Sequence, residues 1–473
     1  FREEKAVSDL TPSGSHSTGA AGRDAGASLF EEAARRALRY LQELERRRVF
    51  PSPEALNGLM AFEEPLPAGP SDPLETLALL DERGSPGTVT SPGGRYFGFV
   101  FGGSLPAALA ANWLAGAWDQ NAAMEAASPA AAKLERVAMS WLLDVLGLPA
   151  DCGIGFVSGA TMANFSGLAA ARHALLKAQG WDVEAMGLFG APPITVVVGE
   201  EVHVSLLKAL SLLGLGRERV LRVPVDGQGR MLADALPPLS ESTIVCIQAG
   251  NVNTGAFDPA AEICQQARAA GAWVHVDGAF GLWAAAAPQR AHLAAGLSEA
   301  DSWATDAHKW LNVPYDCGLV FCRRPEDLRA ALTHSPAAYL VTDGRRDPME
   351  YTPEMSRRAR GIEVWAALRS LGRAGLAEMI ERCCRHAARF AQGLQAAGFT
   401  VLNDVVLNQV LVSFGSPGKT GQVIRALQEE GTCWCGGTVW QGHTAMRISV
   451  SSWATTTEDV DRCLEAMLRA AAL

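Results

Sequence analysis

Beyond Pro149 two apolar patterns alternate along the chain. Short β-branched runs, ITVVVG at 194–199, STIVCIQAG at 242–250, AWVHVDGAF at 272–280 and CGLVFCRR at 317–324, carry apolar residues at consecutive positions, and helical spacing fills the stretches between them. A strand with no polar face is covered on both sides, and helices inserted between such strands make the sheet mostly parallel. The fold class expected is therefore α/β. Ahead of these runs, GFVSGATMANFSGLAAARHAL has the form of a strand, a Ser-Gly-Ala-Thr turn and a helix.

The flanks read differently. SLFE offers a capping box, with Ser28 at the cap and Glu31 three residues on, before the charged amphipathic run EEAARRALRYLQELERRR. Prolines at 51, 53 and across 65–73 then break the chain into a short helical arm and loops. Ser128-Pro129 opens a further helix, because serine caps and proline suits the first helical position. Leu134, Val137, Ala138, Trp141, Leu142 and Val145 repeat at helical spacing before Gly147 and Pro149 stop it. After residue 360 a long helix, VLNQVLVSF, GQVIRALQEEG, AMRISVSSW and TEDVDRCLEAMLRAA suggest a small α/β domain. The expected division is a flexible leader at 1–27, rich in Gly, Ala and Ser, a helical arm at 28–110, a large domain at 111–359 and a small one at 360–473.

Composition narrows the partners. Of 473 residues 48% are apolar and 19% charged, enough for an extensive core. The net charge of −10 gives no footing for phosphate backbones or anionic membranes, so neither nucleic acid nor a membrane is expected. No apolar run reaches the length of a membrane helix. The ten cysteines are scattered without the spacing of a zinc site; no metal is expected, and reduced thiols point to a cytoplasmic protein.

Ligands of open α/β sheets gather at the carboxyl ends of strands. There the runs place Asp277 after AWVHV, His308 and Lys309 in DSWATDAHKW, and the Ser158-Gly159-Ala160-Thr161 turn. Singly, each has a bland reading: a helix cap, a solvated lysine, an ordinary turn. Together an anion cradle, a buried carboxylate and a partly desolvated lysine are the parts that pyridoxal phosphate chemistry requires.

HVDGAF, DAHKW with DCG following, and GFVSGATMAN resemble the group II pyridoxal-phosphate-dependent amino acid decarboxylases, relatives of the aromatic amino acid and glutamate decarboxylases. SPAAAKLERVAMSWLLDVLGLP, GNVNTGAFDP, SRRARGIEVWAALRSLG and MRISVSSWATTTEDVD extend the resemblance, in order, over roughly residues 30–470. It implies a fold type I, aspartate aminotransferase-like large domain, an obligate homodimer with the active site at the interface, and pyridoxal 5'-phosphate as cofactor. Lys309 then resembles the Schiff-base lysine and Asp277 the partner of the pyridine nitrogen. Ala279 and His203 resemble the residues on the two ring faces, with His203 near the substrate carboxylate. His308 and the turn 158–161 would bind the phosphate.

Arg447 matches an arginine that holds a substrate carboxylate in some relatives, with a structural salt bridge as the competing reading. Tyr96, Phe97 and Phe99 match a stretch that lines the side-chain pocket, which favours an aromatic or apolar amino acid; the same aromatics also read as core. The sequence departs from the family in three places. Pro348 stands where the aromatic decarboxylases carry a loop tyrosine that protonates the product carbon, leaving Tyr351 as the nearby candidate. GNVNTG replaces a Gly-Thr-Thr, leaving Asn251 or Thr254 near the cofactor oxygen. Pro314 replaces an asparagine. The activity implied is decarboxylation of an L-amino acid to the amine and CO2. The alternatives are another pyridoxal outcome on the same scaffold (aldehyde synthesis, transamination or C–C lysis) and a non-catalytic relative.

Overall fold

Seven strands form the central sheet: β1 (Gly153–Val157), β2 (Thr195–Gly199), β3 (Leu221–Val223), β4 (Thr243–Gln248), β5 (Trp273–Asp277), β6 (Ser302–Asp306) and β7 (Gly318–Cys322), in the order β1-β7-β6-β5-β4-β2-β3. All neighbours are parallel except β7, which runs antiparallel to both β6 and β1. The computed structural model describes residues 18–333 and 346–473. The expected runs are all strands, and the reason is visible in their burial. Val196 and Val198 of β2 and Ile244 and Cys246 of β4 pack on one face, and Val197, Val245 and Ile247 on the other. Both faces are covered, so each strand needs consecutive apolar residues.

The helix Ala160–Ala178 crosses one face together with Val204–Leu212 and Pro325–Leu332. The helices Pro129–Val145 and Gly361–Ala396 contribute to the core on the other. Pro129–Val145 starts as read, with the Ser128 hydroxyl accepting the Ala131 N–H at 3.3 Å. A second sheet of four antiparallel strands has the order β10-β11-β9-β8, formed by β8 (Thr400–Val401), β9 (Gln409–Ser413), β10 (Gly436–Trp440) and β11 (His443–Ser449). It is flanked by Pro417–Glu430 and Thr457–Ala472.

The chain forms two units, Phe1–Val89 and Thr90–Leu473. In the first, the helix Thr18–Glu43 begins ahead of Ser28, so Ser28 lies inside it rather than capping it. Arg36 of that helix pairs with Asp81 at 2.8 Å. Most of the expected leader, residues 1–17, lies outside the described residues, as does 334–345 ahead of the SRR motif. No helix among the described residues is long and apolar enough to cross a membrane.

Candidate active site

Register alone assembles the candidate residues. Gln248, Asp277 and Ala304 stand side by side across β4, β5 and β6, and two residues further Asp306 aligns through Gly318 with Val157, just ahead of the Ser158 turn. Asp277, Lys309 and the turn thus share one edge of the sheet. Gly318 permits the closure: a Cβ there would lie 2.5 Å from the backbone of Gly159.

Asp277 is 5% exposed and held at both oxygens. Its Oδ1 accepts the Ala279 N–H at 3.3 Å and its Oδ2 the Asn164 amide at 3.1 Å. Behind Asn164 a polar chain continues through the core. The Asn164 oxygen lies 2.9 Å from His275 Nε2, His275 Nδ1 lies 2.8 Å from Ser302 Oγ, and Trp273 Nε1 donates to Ser302 Oγ at 2.9 Å. Burial drives the His275 pKa down to about 3, so the ring is neutral. The indole can only donate, so the Ser302 hydroxyl accepts from it and gives its own proton to Nδ1; Nε2–H then donates to Asn164, and Asn164 to Asp277. Neither Asn164 nor His275 was singled out from the sequence, although a histidine inside an apolar strand two residues before Asp277 is itself a signal.

Lys309 sits on the turn after β6, with Nζ 3.0 Å from Asp306 Oδ2. Asp306 Oδ1 accepts the Ala160 N–H at 2.6 Å and lies 3.4 Å from His308 Nε2. His308 Nδ1 accepts the Cys317 N–H at 3.1 Å; burial pulls its pKa down, and Asp306 opposes that. The Ser158 and Thr161 hydroxyls make no hydrogen bond to any described residue. Asn312, at φ 56°, holds the lysine turn to the segment that follows β11: its amide donates to Trp310 O at 2.9 Å and Ser451 O at 3.0 Å, and its oxygen accepts from Trp453 N–H at 2.9 Å. Asparagine tolerates that left-handed backbone.

His203 caps the helix Val204–Leu212, its Nδ1 accepting the Ser205 N–H at 3.3 Å. Burial lowers its pKa, Asp277 opposes, and Lys309 and Arg447 add to the lowering, so the four groups share one electrostatic neighbourhood. With Nδ1 an acceptor, the neutral ring carries its proton on Nε2. Arg447 on β11 donates to Val252 O at 3.3 Å and pairs with no carboxylate among the described residues; burial lowers its pKa.

The aromatic stretch divides. Phe97 is 1% exposed and meets Phe390 edge-on at 5.0 Å, so it belongs to the core rather than to a pocket wall. Tyr96 stacks on Trp434 at 5.0 Å and on Phe101 at 5.4 Å, and Phe101 meets Tyr315, whose ring lies 4.3 Å from His308. Phe99, 55% exposed, leans on Trp434 at 5.3 Å. Trp434 was not read from the sequence; it lies just ahead of β10, where Phe97 N–H donates to its carbonyl at 2.9 Å and Tyr96 bridges to it. Other expected residues are engaged elsewhere. Asn251 accepts from Asn253 and Thr254 N–H at 2.9 and 3.3 Å, and the Thr254 hydroxyl donates to Gln228 O at 2.7 Å, so Asn251 stabilises its own loop and Thr254 ties that loop to the turn at Gln228. Tyr351 lies under the Arg346 guanidinium at 4.2 Å, with no hydrogen bond or ring contact to Lys309, His203 or Asp277.

The model of the Pyridoxal-dependent decarboxylase conserved domain matches residues 85–415. The chain belongs to this family. It is 27% identical over 345 residues to an aromatic-L-amino-acid decarboxylase of Bacillus atrophaeus, covering 70% of this chain and 69% of that one. It is 33% identical over 265 residues to an aspartate 1-decarboxylase of Aliivibrio fischeri, covering 52% of this chain and 48%, under half, of that one. The crystal structure of Oryza sativa TDC with PLP and tryptamine shares the fold, with a TM-score of 0.86 at 23% identity over 95% of this chain and 98% of that one.

As a pyridoxal-dependent decarboxylase the chain is a carboxy-lyase with pyridoxal 5'-phosphate as cofactor. Its residues suit that group chemically: an amine, a carboxylate held at a strand end, and hydroxyls at a helix N-terminus that have no other partner among the described residues. Among the described residues no cluster of His, Cys, Asp and Glu could hold a metal ion.

Proposed function

We propose that the protein decarboxylates an L-amino acid with an aromatic side chain, releasing the amine and CO2. The observation that carries this is that Lys309 and Asp277, at one edge of the central sheet, and Arg447, on the second sheet, all act on His203, beside the aromatic row from Trp434 to Tyr315. The bound cofactor supplies the electron sink for the bond that breaks. Lys309 would hold it covalently, Asp277 would face its ring nitrogen, and Ala279 and His203 would flank the ring. Ser158, Gly159, Ala160, Thr161 and His308 would take its phosphate.

The protein's own work is orientation and charge. Arg447 offers a largely desolvated guanidinium without a carboxylate partner among the described residues, suited to the substrate carboxylate. His203, neutral and protonated at Nε2, would donate from the other side and fix which bond stands across the ring plane. Tyr96, Trp434 and Phe99 would contact the side chain. Asn251 and Thr254 would shape the loop under Arg447, through Val252. Tyr351 is a proton donor only if its segment rebuilds around the substrate, and Lys309 is the nearer candidate.

We further propose a cytoplasmic homodimer. All ten cysteines are free and buried, and the helix Pro106–Trp118 leaves Trp113, Leu114 and Trp118 41–54% exposed, which a second copy would cover. Purified protein should release CO2 and amine in equal amounts from one aromatic amino acid of a panel, without H2O2, and Lys309→Ala should abolish both. Turnover that survives Lys309→Ala would overturn the assignment, and H2O2 with aldehyde would replace it by an oxidative outcome.

A further inference from the structure

The cradle at the start of the Ala160–Ala178 helix contains a carboxylate of this chain. Asp306, 2% exposed, accepts the first helical N–H, from Ala160, at 2.6 Å, and its other oxygen meets Lys309 Nζ at 3.0 Å. A Cβ built on Gly159 would approach both Asp306 Oδ1, at 3.5 Å, and the His308 ring, at 3.3 Å, so this carboxylate lies over the mouth of the turn. The helix N-terminus and His308 are groups that favour an anion. One anion already stands among them. A phosphate dianion entering the turn would meet a fixed negative charge and find the Ala160 N–H taken.

We propose that Asp306 is a positioning residue that stands in the anion cradle at residues 158–161, holds Lys309 toward it, and competes with the cofactor's phosphate for the Ala160 N–H. The inference rests on the reading of residues 158–161 as the phosphate cradle. Its consequence is selective: Asp306 weakens binding of the phosphate without weakening binding of the rest of the cofactor. A carboxamide keeps the size of the side chain and removes the charge.

The test compares pyridoxal 5'-phosphate with pyridoxal, which lacks the phosphate, by equilibrium titration of the cofactor-free protein followed in absorbance. Asp306→Asn should raise the ratio of the two affinities by about tenfold or more over wild type, as loss of a like charge a few ångströms from a dianion requires. Effects through Lys309 act on both ligands and cancel in the ratio. An unchanged or smaller ratio overturns the proposal; should Asp306→Asn fail to fold, Asp306→Ser is read the same way. The variant Ser158→Ala with Thr161→Val reports on the cradle separately and should lower the ratio. If it does while Asp306→Asn leaves the ratio unchanged, only the role of Asp306 fails. If it does not, the cradle reading fails and the inference falls with it.

Discussion

His275 Nε2 stands 2.9 Å from the side-chain oxygen of Asn164, and this contact sets which way the Asn164 amide points. A reversed amide would aim its oxygen at the Asp277 carboxylate and leave the imidazole N–H facing a donor. The neutral ring, itself oriented by Ser302 and Trp273, thus fixes the hydrogen bond that Asp277 receives.

Truncating Asn164 should therefore act on Asp277 without touching the cofactor. Asn164→Ala removes a hydrogen bond to a buried carboxylate, an interaction of about 1.5–3 kcal/mol, so kcat is expected to fall by about 10- to 100-fold. His275→Ala should lower kcat in the same direction and by less, because Asn164 remains. Steady-state kinetics decide it, and a change in KM alone would show that Asp277 does not depend on this amide.

The same histidine gives the fold a pH dependence of definite sign. Burial holds the His275 pKa at about 3 against an ordinary 6.5, so between these values the unfolded chain binds a proton that the folded chain refuses. The stability present above pH 6.5 is lost as pH falls, by up to about 1.4 kcal/mol per pH unit. His275→Asn removes that one contribution. Between about pH 7.5 and pH 5, urea unfolding should show the variant losing about 2 kcal/mol less than wild type; equal losses would mean that the ring is not held neutral.

Much of the fold was legible because burial on both faces writes itself into consecutive positions, as in Val196–Val198 and Ile244–Ile247. β10 was not: Gly436 and Gly437 open it, its burial alternates, and it is a strand only because β11 pairs with it. The capping box at Ser28 is a local signal overridden by a helix that begins further upstream. In the site, Lys309 and Asp277 stand out as charges at the ends of apolar runs. Asp306 and Asn164 act across 146 and 113 residues of chain, on Ala160 and Asp277, and a single sequence carries no trace of such pairings. Phe97 and Phe99 share one motif, yet one is core and the other exposed, a distinction made by Phe390 and Trp434 from elsewhere in the chain.

Glu135, inside the helix Pro129–Val145, is the buried carboxylate that anchors Arg357 of the SRR motif and Arg346 ahead of it. Its side chain, 2% exposed, meets Arg357 at 3.0 Å and Arg346 at 3.5 Å, while Arg357 also donates to Ala122 O and Phe156 O at 2.9 Å. Glu135→Ala leaves two guanidiniums without their carboxylate and should cost about 3–5 kcal/mol. Pairing Glu135→Leu with Arg357→Met should cost less than the sum of the single changes, since Arg357 is then no longer stranded and only Arg346 is left without its carboxylate. Denaturant unfolding of the cycle measures it, and additive losses would show that the ion pair is not coupled.

Arg447 separates function from stability. A guanidinium largely removed from water, without a carboxylate partner among the described residues and bonded at 3.3 Å only to Val252 O, contributes little to the fold and is costly to bury. Arg447→Leu should therefore leave the unfolding midpoint unchanged or raise it, while kcat/KM falls by about 100-fold through loss of a charge-assisted contact with the substrate carboxylate. Arg447→Lys keeps the charge but not the two-pronged geometry and should recover only part of the loss. A structural role predicts the opposite pairing, with the unfolding midpoint lowered and the residual activity per folded molecule unchanged, so the two measurements on one variant distinguish the readings.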